Sequence, residues 1–154
     1  MSIDARLKEL GITLPSPPAP LGNYVPAVRT GNLLFMSGCG PRQSDGSSIT
    51  GKVGSALDLE QAYDAARLVG LNMLANIKAQ LGSLDKVKQV VKVLGMVNAE
   101  PDFTAHPKVI NGYSDLMVEV FGDAGKGARS AVGMGSLPNQ IAVEVEMILE
   151  VEAD

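Results

Sequence analysis

The sequence predicts a single α+β domain, and three observations carry that prediction. Two stretches, Leu57 to Leu81 and Phe103 to Phe121, place apolar residues at helical spacing. Around them lie short runs rich in valine and isoleucine, the composition of buried strands. The order along the chain is strands, helix, strand, helix, strands, without a repeat and without low complexity beyond one proline-rich segment. A chain of 154 residues fits one domain and can bury a core without disulfide or metal staples.

Residues Ser2 to Leu10 put Ile3, Leu7 and Leu10 on one helical face, with Gly11 placed to close the helix in a left-handed conformation. Pro15-Ser16-Pro17-Pro18-Ala19-Pro20 then forms a stiff extended arm, since proline fixes φ and removes amide donors. The organisation expected is an N-terminal helix and arm over residues 1–20 and a domain over residues 21–154. Val25 to Arg29 and Leu33 to Ser37, joined through Thr30-Gly31-Asn32, read as a hairpin with a buried second strand. Arg42 to Gly54 reads as an exposed loop or further short hairpin.

Leu57 to Leu81 carries a stripe of Leu57, Ala62, Ala65, Ala66, Val69, Met73, Ile77 and Leu81, and Gly82 is its stop. Val87 to Val97 reads as a mostly buried strand. In the second helix Val109, Tyr113, Leu116, Met117 and Val120 share a side. Glycines 122, 125 and 127 open the chain before two final strands, Ser130 to Met134 and Ile141 to Val151.

A net charge of −4 with scattered lysines and arginines gives no attraction for polyanions, so nucleic acid is not expected as a partner. One cysteine, Cys39, and one histidine, His106, exclude an internal disulfide and a Cys/His metal cluster. The start Met1-Ser2-Ile3-Asp4-Ala5-Arg6 has no basic-then-apolar signal pattern, and no apolar run approaches the ~18 residues of a membrane span. The expected location is the cytoplasm. Gly38-Cys39-Gly40 lacks the Lys-Ser/Thr ending and helix start of a phosphate-cradling loop.

Arg129 lies among small and β-branched residues in Gly127-Ala128-Arg129-Ser130-Ala131-Val132, just upstream of Val143-Glu144-Val145-Glu146. Its planar fork suits a carboxylate. From the residues alone it serves equally as one partner of a structural ion pair with Glu144 or Glu146 across neighbouring strands. The alternation puts both glutamates on one side of their strand.

The segments Gly22 to Val28, Gly31 to Gly38, Val109 to Tyr113, Ala128 to Val132, Leu137-Pro138 and Val143 to Glu146, in this order, resemble the reactive intermediate deaminase (RidA) family, also called the YjgF or endoribonuclease L-PSP family. The resemblance spans about Leu21 to Glu152. It implies a chorismate-mutase-like α+β fold, a sheet of about six strands with two helices on one face. It implies a homotrimeric barrel with pockets between subunits. It also implies hydrolysis of 2-imino acids to 2-oxo acids and ammonia, with no cofactor. By motif, Arg129 would clamp the substrate carboxylate together with the Gly38 amide. Glu144 would activate water, Tyr24 and Asn111 would shape the pocket from the neighbouring subunit, and the Ala131 carbonyl would accept from the imine nitrogen.

Three departures mark a side branch with a longer amino terminus. Ala131 stands where many imine-hydrolysing members carry cysteine, Gly133 where a larger residue is common, and Cys39 where glutamine is frequent. A backbone role at Ala131 survives loss of the thiol. Two alternatives remain at this level: a non-catalytic trimer that binds small carboxylates, and an endoribonuclease or translation inhibitor, which the acidic balance disfavours.

Overall fold

The computed structural model describes residues 1–19 and 22–154. Pro20, the last residue of the expected arm, and Leu21, the first of the expected domain, lie outside the described residues.

The first element is a short helix α1, Ile3–Glu9, capped by the Ser2 side chain, which accepts from the Ala5 amide. It is tied down from several sides. Leu7 is buried in the core, the Ile3 amide donates to Asp85 at 2.7 Å, and Arg6 Nε donates to the Glu119 carbonyl at 2.8 Å. Strands β1, Ala27–Thr30, and β2, Leu33–Cys39, form a hairpin with Thr30 opposite Leu33. Gly31, at φ +56°, supplies the left-handed turn residue.

Helix α2, Leu59–Leu81, starts at a reciprocal capping box between Asp58 and Gln61 and ends at left-handed Gly82. Strand β3, Val87–Asn98, leads to helix α3, His106–Phe121, then to strands β4, Ala128–Met134, and β5, Val143–Val151. Among the described residues the sheet has five strands in the order β1-β2-β5-β3-β4, with β3 and β4 parallel and the other neighbours antiparallel. Residues Arg42 to Gly54, expected as a loop or short hairpin, make isolated bridges, Arg42 to Ser48 and Thr50 to Ile141 among them.

Helices α2 and α3 pack on one face of the sheet, and the core lies between. Gly112 on α3 makes the closest approach, since a Cβ there would lie 2.1 Å from the Tyr63 carbonyl oxygen of α2. Two expectations are corrected here. Strand β2 is buried on one face only, with Leu34, Met36 and Cys39 inside and Leu33 and Phe35 exposed. The Arg42 to Gly54 segment is not wholly exposed, because Val53 is completely buried, with its amide bound to the Asn98 carbonyl. The face away from the helices exposes Val28, Leu33, Phe35 and Val132.

Candidate active site

Strand pairing decides which candidates meet. Directly paired residues on adjacent strands point to the same side of a sheet. Arg129 pairs with Val93, which pairs with Met147, and both of these face the helices as core residues. Arg129 is therefore on the helix side of the edge strand β4. Its Nη1 donates to Asn111 Oδ1 at 2.9 Å and to Ser114 Oγ at 3.1 Å, and its Nη2 donates to the Pro107 carbonyl at 3.4 Å. These partners, all from α3, hold the guanidinium over a cavity of about 210 Å³.

Glu144 pairs with Met96 and so faces the opposite side, separated from β4 by β3. The ion pair that the sequence left open between Arg129 and either glutamate is excluded by this topology. Asn111, expected to reach Arg129's pocket from a neighbouring subunit, already touches Arg129 within the same chain. Ala131, half-buried on β4, packs against the core.

A second cavity, about 220 Å³, brings together Tyr24, Gly38 and Glu144. The pairing of β2 with β5 slips between Met36 and Cys39, so that three steps on β2 oppose two on β5. That bulge holds Ser37 and Gly38 and re-aims the strand toward Glu144. A Cβ at Gly38 would lie 2.8 Å from Glu144 Oε2, so the carboxylate is seated on the bare glycine backbone. Burial, and then the like charge of Glu146, push the Glu144 carboxyl above its ordinary range. Tyr24, 52% exposed, forms part of the rim. Pro18 and Ala19 of the N-terminal arm line the same cavity.

Cys39 also lines it, but as a buried thiol pushed up to about 12 by burial, with Glu144 adding to the rise. It is not a nucleophile in this state. His106 lies edge-on to Phe103 with ring centroids 5.3 Å apart, near the start of α3. A Cβ at Gly133 would fall 2.5 Å from its Nε2, so the small residue there makes room for the imidazole.

Three residues in the Glu144 cavity were not singled out from sequence: Arg42, Asn72 and Asn76. The asparagines lie four apart on α2, next to the apolar stripe at Val69, Met73 and Ile77. Polar amides beside a buried stripe were the available signal. Asn72, 2% exposed, donates through Nδ2 to the carbonyls of Arg42 at 2.9 Å and Gly40 at 3.3 Å, fixing the chain after β2. Across the cavity Asn139 and Gln140 both hold positive φ, +55° and +57°, a conformation uncommon for residues with a Cβ. The Gln140 side chain accepts through Oε1 from Asn98 Nδ2 at 3.0 Å. Among the described residues no three His, Cys, Asp or Glu side chains group as metal ligands would, and no helix is long and apolar enough to cross a membrane.

Residues 4–150 match the family model described as "YjgF/chorismate_mutase-like, putative endoribonuclease". Among curated proteins, the chain is 43% identical to Protein TCP17 of Trypanosoma cruzi, over 96% of this chain and 93% of that one. It is 32% identical to a 2-iminobutanoate/2-iminopropanoate deaminase of Dermatophagoides farinae, over 92% of this chain and 95% of that one. Among solved structures, that of Atu1372, a protein of unknown function from Agrobacterium tumefaciens, superposes with a TM-score of 0.89 at 45% identity, covering 98% of this chain and 94% of that one. With a mixed sheet of five strands and three α-helices among its described residues, the chain belongs to the YjgF/RidA family.

Proposed function

We propose that this protein hydrolyses reactive 2-imino acids to 2-oxo acids and ammonia. The observation that carries the reading is the Glu144 carboxylate, half-buried on the Gly38 backbone inside a small cavity, with its proton affinity raised. An imine is already electrophilic, so its hydrolysis needs a positioned water and a proton carrier more than a strong nucleophile. Glu144 takes a proton from water as the oxygen bonds to the imine carbon. It returns that proton to the nitrogen of the resulting carbinolamine. Glu144 then takes the hydroxyl proton and passes it to the nitrogen as the C–N bond breaks, so that ammonia leaves and the 2-oxo acid forms. No metal or organic cofactor enters these steps. The similarity to the mite deaminase supports the reading at family level.

Arg129 is the substrate-carboxylate clamp in this proposal, assisted by the Gly38 amide, with Tyr24 and Asn111 shaping the pocket and the Ala131 carbonyl as acceptor. Since Arg129 and Glu144 face opposite sides of one sheet, a complete site draws them from adjoining copies. A homotrimer that sets the free edge of β4 against the β2 side of the next copy would cover that edge and bury the apolar open face. The proposed organisation is an N-terminal helix and proline-rich arm over residues 1–20 leading into a domain over residues 21–154, and the cytoplasm is the proposed location.

The test is release of 2-oxobutanoate from an imine generated by a threonine dehydratase. Added protein accelerates it, and Arg129→Ala lowers kcat/KM about 30-fold or more, the loss of a desolvated charge pair worth ~2–5 kcal/mol. Absence of acceleration across several imino acids rejects the reading. In that case ligand binding that depends on Arg129 but not on Glu144 would identify a carboxylate sensor.

A further inference from the structure

The Glu144 cavity contains a cation that the proposed hydrolysis does not use. Of the residues lining it, Arg42 and Glu144 are the two that carry charge. They are not paired with each other. Among the described residues no ion pair engages Arg42, and the upward shift of Glu144 comes from burial and Glu146, with no lowering contribution from a cation. Arg42, a lining residue that no ion pair engages among the described residues, gives the small cavity a cation that an anionic occupant would neutralise.

The position of Arg42 is built rather than incidental. Its carbonyl is clamped by buried Asn72, and its backbone bridges to Ser48 across a turn in which the Gln43 amide bonds to the Ser47 carbonyl at 2.7 Å. Asp45 accepts from both the amide and the hydroxyl of Ser47, closing the same turn. The side chain therefore starts from a fixed backbone. A volume of about 220 Å³ lies below the roughly 300–1,000 Å³ of pockets for drug-sized ligands, which suits a metabolite of a few carbons and not a nucleotide.

We infer that Arg42 is a specificity-determining residue, and that the preferred substrates are 2-imino acids whose side chain ends in a second carboxylate. This rests on the imine-hydrolysis reading, with Arg129 holding the carboxylate next to the imine and Arg42 holding the distal one. Two cations at the two ends of the substrate leave the reacting carbon between them, beside Glu144. The reactions that supply such substrates are oxidations of acidic amino acids at the α-carbon.

The experiment compares full-length native protein, Arg42→Gln and Arg42→Lys on imines made in situ by flavin oxidases from glutamate and from 2-aminobutanoate, following imine decay by semicarbazide trapping. The native kcat/KM is expected to favour the acidic imine by about tenfold or more, and Arg42→Gln to cut that ratio roughly 10- to 100-fold, chiefly through KM. Arg42→Lys retains part of the preference, having charge without the fork. Melting curves check folding, which the main-chain contact to Asn72 preserves. No native preference, or a ratio unmoved by Arg42→Gln, overturns the inference. If neither imine is accelerated, the hydrolysis reading fails separately, and calorimetry with 2-oxoglutarate and 2-oxobutanoate decides this one. Tighter binding of 2-oxoglutarate that is lost in Arg42→Gln upholds the role of Arg42, and equal binding of the two acids rejects it.

Discussion

Gly38→Ala tests whether the seat of Glu144 is functional. The added Cβ would stand 2.8 Å from Oε2, about 0.6 Å inside an ordinary contact near 3.4 Å, and 3.1 Å from the carboxyl carbon. The backbone at Gly38 does not require positive φ, so alanine can adopt it. What must yield is the end of a flexible, half-buried side chain. The stability change is therefore small, within about 1 kcal/mol, with the reduced freedom of the unfolded chain offsetting part of the strain. The carboxylate, however, moves by roughly half an ångström, and a misplacement of about 1 Å can cost ~10²-fold in rate, so kcat should fall roughly tenfold. The control is Gly112→Ala, whose Cβ would lie 2.1 Å from the Tyr63 carbonyl and would force α2 and α3 apart. It should cost about 1–3 kcal/mol or more by urea denaturation. Native-like imine hydrolysis in Gly38→Ala, or a stability loss matching that of Gly112→Ala, would refute the argument.

Three further outcomes follow from the titrating groups. Glu144 must be ionised to take a proton from water, so the acid limb of kcat/KM lies above the ordinary carboxylate range, and Glu146→Gln should move it down without abolishing the shift, because burial is the larger cause. Because the folded protein holds this proton more tightly than the unfolded chain, the group favours folding below the ordinary carboxylate range. That contribution is lost as pH rises through the raised pKa, so Glu144→Gln should flatten this part of a stability-against-pH curve. Cys39, pushed up to about 12, should resist iodoacetamide at pH 8 in folded protein and react once urea exposes it.

Local signals in the sequence located the elements well where they were self-sufficient. The stripe and the Gly82 stop define α2 to within two residues, and the turn read at Thr30-Gly31-Asn32 places the hairpin, although Thr30 belongs to β1. What local signals could not carry was the insertion of β5 between β2 and β3, which depends on pairing between residues far apart in the chain. Within the sheet β3 separates Arg129 from Glu144, and the two side chains face opposite sides. The burial of Val53 escaped for a related reason, since its partners Asn98 and Leu57 come from β3 and the approach to α2. Arg42 looked like one charge in a polar loop. Asn72, reaching back from α2, and the bridge to Ser48 show that its backbone is held.

Placing Arg129 and Glu144 on opposite sides of one sheet also has a genetic meaning. If a working site needs the arginine of one copy and the glutamate of another, two alleles that are each inactive, one lacking Arg129 and one lacking Glu144, can restore some intact sites when expressed together. A doubly substituted allele would instead poison the sites at both of its boundaries.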